Sequence, residues 1–128
     1  MMKAMIVDDS RAMRSLLRKI LQENGFEVVA EAENGREGLN HLERLDFVDL
    51  VLLDWNMPVM NGYELLCEVR KQDRWKNIRV MLVTTETEAS QILRALDAGA
   101  DEYLIKPFVK EALRDKLNVM GLLDGAES

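Results

Sequence analysis

Short apolar runs alternate with amphipathic segments along the whole chain, and this alternation limits the folds that it can adopt. Five runs are present, at Ala4–Val7, Glu27–Ala32, Asp49–Leu53, Val80–Val83 and Tyr103–Ile105. The third and fourth runs are almost continuously apolar, which is typical of strands covered on both faces. Each run precedes a segment whose apolar residues have helical spacing. The pattern therefore predicts five strand–helix units.

The first two helices carry clear start signals. Ser10 and Asn34 are N-cap residue types, and each stands just before a segment of helical spacing. The second helix is predicted over Gly35–Leu45, and Gly25 marks the end of the first. One apolar stripe is predicted on the first helix, formed by Met13, Leu16, Leu17, Ile20 and Leu21.

Five strand–helix units with short connections predict an α/β fold, because right-handed crossovers place helices on both faces of a parallel sheet. They fit a flavodoxin-like, doubly wound (βα)5 fold with the five-stranded order 2-1-3-4-5, an order already known for this class. Ligands of such folds bind beyond the carboxyl ends of the strands, where the strand order reverses. Here that point lies between strands one and three.

Charged residues follow three of the predicted strands. Asp8 and Asp9 follow the first, Asp54 follows the third and Lys106 follows the fifth. Acids after a strand often serve only as helix N-terminal charges. Strands of a parallel sheet end on one edge, however, so we expect these four groups to meet there. Carboxylate oxygens suit Mg²⁺ as ligands. An aspartate can also act as a nucleophile toward phosphorus. The hydroxyl of Thr84, at the end of the fourth strand, would be a further hydrogen-bond donor to a phosphoryl group.

Composition narrows the function classes. The 128 residues are 48% hydrophobic and carry a formal net charge of -6, which argues against nucleic acid and anionic lipid as partners. No apolar stretch is long enough for membrane insertion. Cys67 is the one cysteine, so an internal disulfide is ruled out, and we expect a cytoplasmic protein. We expect one domain over residues 1–121, a short C-terminal tail over 122–128 with no output domain, and a monomer.

At Thr84 and at the charged residues that follow the predicted strands, the chain resembles the receiver domains of response regulators. Among these it resembles the single-domain chemotaxis receivers. Receiver domains are established examples of the 2-1-3-4-5 order, so the resemblance implies that topology. It covers nearly the whole chain. Its motifs are Val7–Ser10, Asp54–Pro58, Asn61-Gly62, Val83-Thr84 and Lys106–Phe108.

The resemblance implies a role for each matching acid. Asp54 would be the phosphoacceptor. Asp9 and Asp54 would bind Mg²⁺ through their carboxylates, Asn56 would bind it through the backbone carbonyl, and Asp8 would act mainly through water. Lys106 would pair with Asp54 at rest and with the phosphoryl group afterwards, and its peptide bond to the following proline would be cis.

The resemblance also implies a switch. Thr84 would donate its hydroxyl to a phosphoryl oxygen, and Tyr103 would turn inward when Thr84 moves. Asn56 and Glu86 would tune the lifetime of the phosphorylated state. The movement would bias the face formed by the fourth helix, fifth strand and fifth helix, where an output protein would bind.

The implied function is that of a stand-alone two-component response regulator. It would take a phosphoryl group from a CheA-like histidine kinase and would be no enzyme toward other molecules. The expected output partner is the flagellar motor switch protein, and a phosphatase is a further candidate partner. The chain departs from the chemotaxis pattern at three positions. That pattern has a small residue where this chain has Thr85, and lysines where it has Glu88 and Ala89.

Other functions remain open at this stage. Within the family, the chain would serve as a phosphate sink or a phosphorelay receiver. A Mg²⁺-dependent aspartyl-phosphate phosphatase would place its two acids as Asp-x-Asp after the first strand, whereas here they are adjacent. A flavin or dinucleotide binder would need a glycine-rich phosphate loop that the sequence lacks. A docking module would keep the fold without accepting phosphate.

Overall fold

The protein forms a five-stranded parallel sheet in a computed structural model that describes residues 1–123. The strands are β1 (Met2–Val7), β2 (Phe26–Ala32), β3 (Leu50–Leu53), β4 (Arg79–Thr84) and β5 (Glu102–Ile105). Their order is β2-β1-β3-β4-β5. The predicted fold class and strand order are therefore confirmed.

Five α-helices connect or follow the strands. They are α1 (Arg11–Glu23), α2 (Gly35–Leu45), α3 (Gly62–Arg70), α4 (Ala89–Asp97) and α5 (Lys110–Val119). The side chains of Ser10 and Asn34 accept hydrogen bonds from the first turns of α1 and α2, as predicted. Asn61 and Glu64 form a reciprocal capping box at the start of α3. This cap fixes the point where the loop after β3 becomes helical.

The sheet is buried on both faces, because each face is covered by a separate set of helices. Met5, Val7 and Val51 point to the face packed by α2, α3 and Ala95 of α4. Ile6 and Leu52 point to the opposite face, which α1 and α5 cover. Alternate strand residues therefore supply two cores, and the central strands need apolar residues at nearly every position.

One sequence expectation about α1 needs correction. Leu16 is 43% exposed, so it does not belong to the buried stripe of α1. It adjoins the stripe in helical projection but lies beyond the reach of the sheet. Leu122 is buried and Leu123 is half-buried against the α5 face. The packed region thus includes these two residues. The predicted domain boundary at 121 stays a prediction, and residues 124–128 of the predicted tail lie outside the described residues.

A short 3-10 helix, Asp73–Trp75, precedes β4 and was not predicted. It carries the fully buried Trp75, whose indole N–H donates to the Asp46 carbonyl at 2.8 Å. That hydrogen bond satisfies the polar atom of a large buried side chain. Among the helices of the described residues, none is long and apolar enough to cross a bilayer.

Candidate functional site

Three aspartates converge at the carboxyl edge of the sheet. Asp8 and Asp9 follow β1, and Asp54 follows the neighbouring strand β3, with Asp54 N–H donating to the Val7 carbonyl at 2.9 Å. One carboxylate oxygen from each acid lies within 4.8 Å of the others. Asp8 and Asp54 are buried, and Asp9 is exposed. The predicted meeting of these acids is confirmed, and together they could hold a metal ion.

Lys106 brings a positive charge to the acids. Its Nζ lies 2.7 Å from Asp8 Oδ2 and 3.3 Å from Asp54 Oδ2. The resemblance implies Asp54 as its resting partner, but the closer contact is to Asp8. The Lys106–Pro107 peptide bond is cis, as the resemblance implies. The lysine bridges two buried carboxylates that would otherwise repel each other.

Both oxygens of Asp8 are engaged by the protein. Oδ2 faces the Lys106 ammonium, and Oδ1 accepts the N–H of Ser10 at 2.8 Å. The Asp8 carbonyl also accepts a hydrogen bond from Arg14 at 2.6 Å. An acid held in this way has little freedom to turn toward an ion. Asp9 and Asp54 are therefore better placed than Asp8 to bind a cation directly.

The loop after β3 folds tightly against Asp54. Gly62 N–H donates to the Trp55 carbonyl at 2.9 Å, and a Cβ at position 62 would lie 2.0 Å from the Asp54 carbonyl oxygen. Glycine is therefore required for this close approach. The side chain of Asn56 is exposed in the same loop. The predicted use of its backbone carbonyl as a metal ligand remains a prediction.

Thr84 ends β4 and is fully buried. Its Oγ1 accepts a hydrogen bond from Glu86 N–H at 3.3 Å. Tyr103 is also buried, and its hydroxyl donates to the Glu86 carbonyl at 2.5 Å. The tyrosine ring is thus packed inside the protein, with its hydroxyl bonded to the loop after β4. Burial, followed by the charges of Glu86 and Asp54, raises the pKa of Tyr103 to about 12. The predicted switch and lifetime roles of these residues remain predictions.

Two features of the site do not emerge from the sequence pattern. Arg14 reaches the Asp8 carbonyl from α1 and also lies 3.5 Å from a Glu31 oxygen on β2. Trp55 stacks on Tyr63, with ring centroids 5.3 Å apart and planes 27° apart. Arg14 lies one turn after the Ser10 cap, and this position is the one sequence feature that could have indicated a contact with the site. The stack of Trp55 on Tyr63 depends on the loop conformation, and no sequence pattern predicts it.

The chemistry of the site follows from its donors. Oxygen ligands close to one another suit a hard divalent cation such as Mg²⁺. A lysine ammonium and a buried threonine hydroxyl can each hold an anionic oxygen. The combination can place a phosphoryl group against an aspartate carboxylate while offsetting its charge.

Comparisons with known proteins agree with this chemistry. Residues 4–118 match the model of the response regulator receiver domain. The chain is 40% identical to chemotaxis protein CheY1 of Helicobacter pylori over 119 residues, which is 93% of this chain and 96% of that protein. It is also 40% identical to chemotaxis protein CheY of Pseudomonas aeruginosa over 116 residues, which cover 91% and 93% of the two chains.

Solved structures show the same fold. A chain in the crystal structure of the CheX-CheY-BeF3-Mg complex from Borrelia burgdorferi superposes with a TM-score of 0.87 at 26% identity, covering 93% of this chain and 89% of that one. Vibrio cholerae chemotaxis protein CheY4 superposes with a TM-score of 0.84 at 37% identity, covering 93% and 98%. The chain belongs to the response regulator receiver domain family, and its similar relatives include chemotaxis response regulators.

Proposed function

We propose that this protein is a response regulator in which Asp54 carries a phosphoryl group received from a histidine kinase. The observation that supports this most strongly is the environment of Asp54. Its carboxylate lies at the sheet edge beside two other acids and 3.3 Å from the Lys106 ammonium. A carboxylate there can act as a nucleophile while the surrounding groups bind the oxygens of the incoming phosphoryl group.

The transfer exchanges one bond to phosphorus for another. An oxygen of Asp54 forms a bond to the phosphorus of a phosphohistidine as the phosphorus–nitrogen bond breaks, and the imidazole leaves with the bonding electron pair. Asp9, Asp54 and the Asn56 carbonyl would hold Mg²⁺, and a cation bound there would supply positive charge to offset that of the phosphoryl group. Lys106 would move from Asp8 toward the new phosphoryl group, and Thr84 would donate its hydroxyl to a further oxygen.

The output surface that we propose is the face formed by α4, β5 and α5. Leu93 and Leu96 of α4 are 59% and 41% exposed, so apolar side chains are available there to a partner. The relatives CheY1 and CheY are named as chemotaxis proteins. We therefore propose the flagellar motor switch protein as the output partner. Glu88 and Ala89 at the start of α4 are exposed. They would give this surface a different charge from a motor-binding surface that carries lysines at the same positions.

Intact-mass measurement after incubation with acetyl phosphate and Mg²⁺ tests the proposed acceptor. We expect one phosphoryl adduct on the wild type, none on Asp54→Asn, and none when EDTA replaces Mg²⁺. The matched control is Asp115→Asn, an exposed acid on α5, which should take up phosphate like the wild type. An adduct that persists on Asp54→Asn would contradict the proposal.

A binding measurement separates the motor role from a phosphate sink. The motor switch protein from the same organism is titrated with the receiver, with and without beryllofluoride and Mg²⁺. We expect beryllofluoride to strengthen binding, and Leu93→Ser to reduce the gain. Equal binding with and without beryllofluoride, together with normal phosphate uptake at Asp54, would support a sink or relay role instead.

A further inference from the structure

A stack of three side chains joins the acid pocket to helix α4. Trp55 follows Asp54 directly and is 6% exposed. Its indole ring stacks on Tyr63 in the first turn of α3. The Arg94 guanidinium carbon lies 4.2 Å from the centroid of the same phenol ring. The contacts therefore run from the residue beside the proposed phosphoacceptor to the helix that presents the proposed output surface.

Helix α4 has few other anchors. Within its nine residues, Ala95 is the one buried residue. Its N-cap, Glu88, makes no side-chain capping hydrogen bond. An arginine over an aromatic face is attracted by the ring quadrupole, so the contact between Arg94 and Tyr63 adds to the packing of Ala95 and half-buried Ile92 against the core.

Trp55 is held equally closely to the pocket. Its carbonyl accepts the Gly62 N–H at 2.9 Å, in the loop that also contains the Asn56 carbonyl. The two ends of the stack are thus joined by consecutive contacts, from the backbone next to Asp54 through Trp55 and Tyr63 to Arg94.

We propose that Trp55, Tyr63 and Arg94 are positioning residues that couple the location of α4 to cation and phosphoryl binding at Asp54. This inference rests on the proposed function and adds a second connection, separate from the pair formed by Thr84 and Tyr103. Coupling between two sites is reciprocal. A partner bound to α4 would therefore strengthen or weaken Mg²⁺ binding through the same three side chains.

Labelling with 5-fluorotryptophan makes the stack observable by ¹⁹F NMR. The chain has two tryptophans, so Trp55 reports on the stack and Trp75 serves as an internal reference. Trp75 has its own arginine, since the Arg74 guanidinium carbon lies 4.4 Å from its ring centroid. Arg74→Gln is therefore a matched control that removes the same type of contact elsewhere in the fold.

We expect Arg94→Gln to shift the Trp55 resonance without Mg²⁺ and to change the Mg²⁺ dissociation constant about 2- to 5-fold, the range of an exposed cation–π contact. Arg94→Lys keeps the cation and should return the dissociation constant most of the way to the wild-type value. Tyr63→Leu should change it at least as much, because it also removes the contact with Trp55. Adding Arg94→Gln to Tyr63→Leu should change it little further, because the contact between Arg94 and Tyr63 is already lost. Arg74→Gln should shift Trp75 and leave Mg²⁺ affinity unchanged.

Arg94→Gln with wild-type Mg²⁺ affinity would overturn the inference, as would fully additive effects of the Arg94 and Tyr63 substitutions. Either result in a protein that still forms the Asp54 adduct would remove the inference and leave the proposed function intact. A wild type that binds no Mg²⁺ and forms no adduct would remove both.

Discussion

Lys106→Met tests the electrostatic design of the site, since it removes the ammonium and keeps an apolar side chain of similar length. The Lys106 side chain is 12% exposed, and its partners Asp8 and Asp54 are 1% and 10% exposed. The substitution leaves two buried carboxylates facing each other without a counter-charge. We expect the folded state to lose stability, because the unfolded chain holds the same acids in water.

Removing one partner of a buried ion pair costs roughly 3–5 kcal/mol. The lower end applies here, because the site lies at the sheet edge and Asp54 retains some contact with water. A loss of about 3 kcal/mol corresponds to a fall of roughly 10 °C in Tm for a domain of this size. Mg²⁺ should restore part of the loss, since it binds the folded acids and supplies positive charge.

Urea denaturation followed by circular dichroism measures the effect, first with EDTA and then with Mg²⁺. The control is Lys116→Met, which removes a 36% exposed lysine paired with Glu102 at 3.0 Å. It should cost less than about 1 kcal/mol, as surface pairs do. If Lys106→Met in EDTA costs no more than this control, the account of the buried charges is wrong.

Three further predictions address separate parts of the site. Asp9→Asn removes one of three carboxylates with oxygens within 4.8 Å of one another. The unfolding free energy of the cation-free protein should therefore rise by about 1 kcal/mol, and a less stable cation-free variant contradicts this. Tryptophan fluorescence of the variant should not respond to Mg²⁺. Gly62→Ala would bring a methyl group 2.0 Å from the Asp54 carbonyl oxygen, and urea denaturation should show a loss of about 3 kcal/mol, whereas an unchanged midpoint contradicts the close approach. The Tyr103 pKa, raised to about 12 mainly by burial, lies above its value of about 10 in the unfolded chain, so stability from this group is complete below pH 10 and is lost as the pH rises to about 12. Over that range Tyr103→Phe should lose less stability in denaturation measurements than the wild type, and an equal loss counts against the assignment.

The parallel sheet and the meeting of the acids could be predicted because both follow from backbone rules, whereas the strand order 2-1-3-4-5 came from the known fold class. Parallel strands end on one edge, so Asp8, Asp9 and Asp54, which follow the neighbouring strands β1 and β3, had to lie near one another once their strands were placed. The N-cap residues Ser10 and Asn34 could be predicted equally well, since a capping side chain bonds to the first turn of its own helix. These features depend on neighbours in sequence or on a fixed topology.

Side-chain partnerships across the fold could not be predicted. Lys106 Nζ lies 2.7 Å from Asp8 and 3.3 Å from Asp54, and sequence patterns do not resolve differences this small between two acceptors. Trp75 finds its hydrogen-bond acceptor 29 residues away at Asp46, and Arg94 finds Tyr63 on a different helix. Such contacts arise only after the helices have packed, so periodicity carries no trace of them.

Chemical trapping of the phosphorylated residue tests the central claim most directly. The protein is loaded from acetyl phosphate with Mg²⁺ and reduced with sodium borohydride, which converts an aspartyl phosphate to homoserine, and peptides are then mapped by tandem mass spectrometry. The account predicts homoserine at position 54 alone, and none there in protein that was not loaded. Homoserine at position 8 or 9, or a loaded protein with none, would contradict the assignment of Asp54 as the phosphoryl carrier.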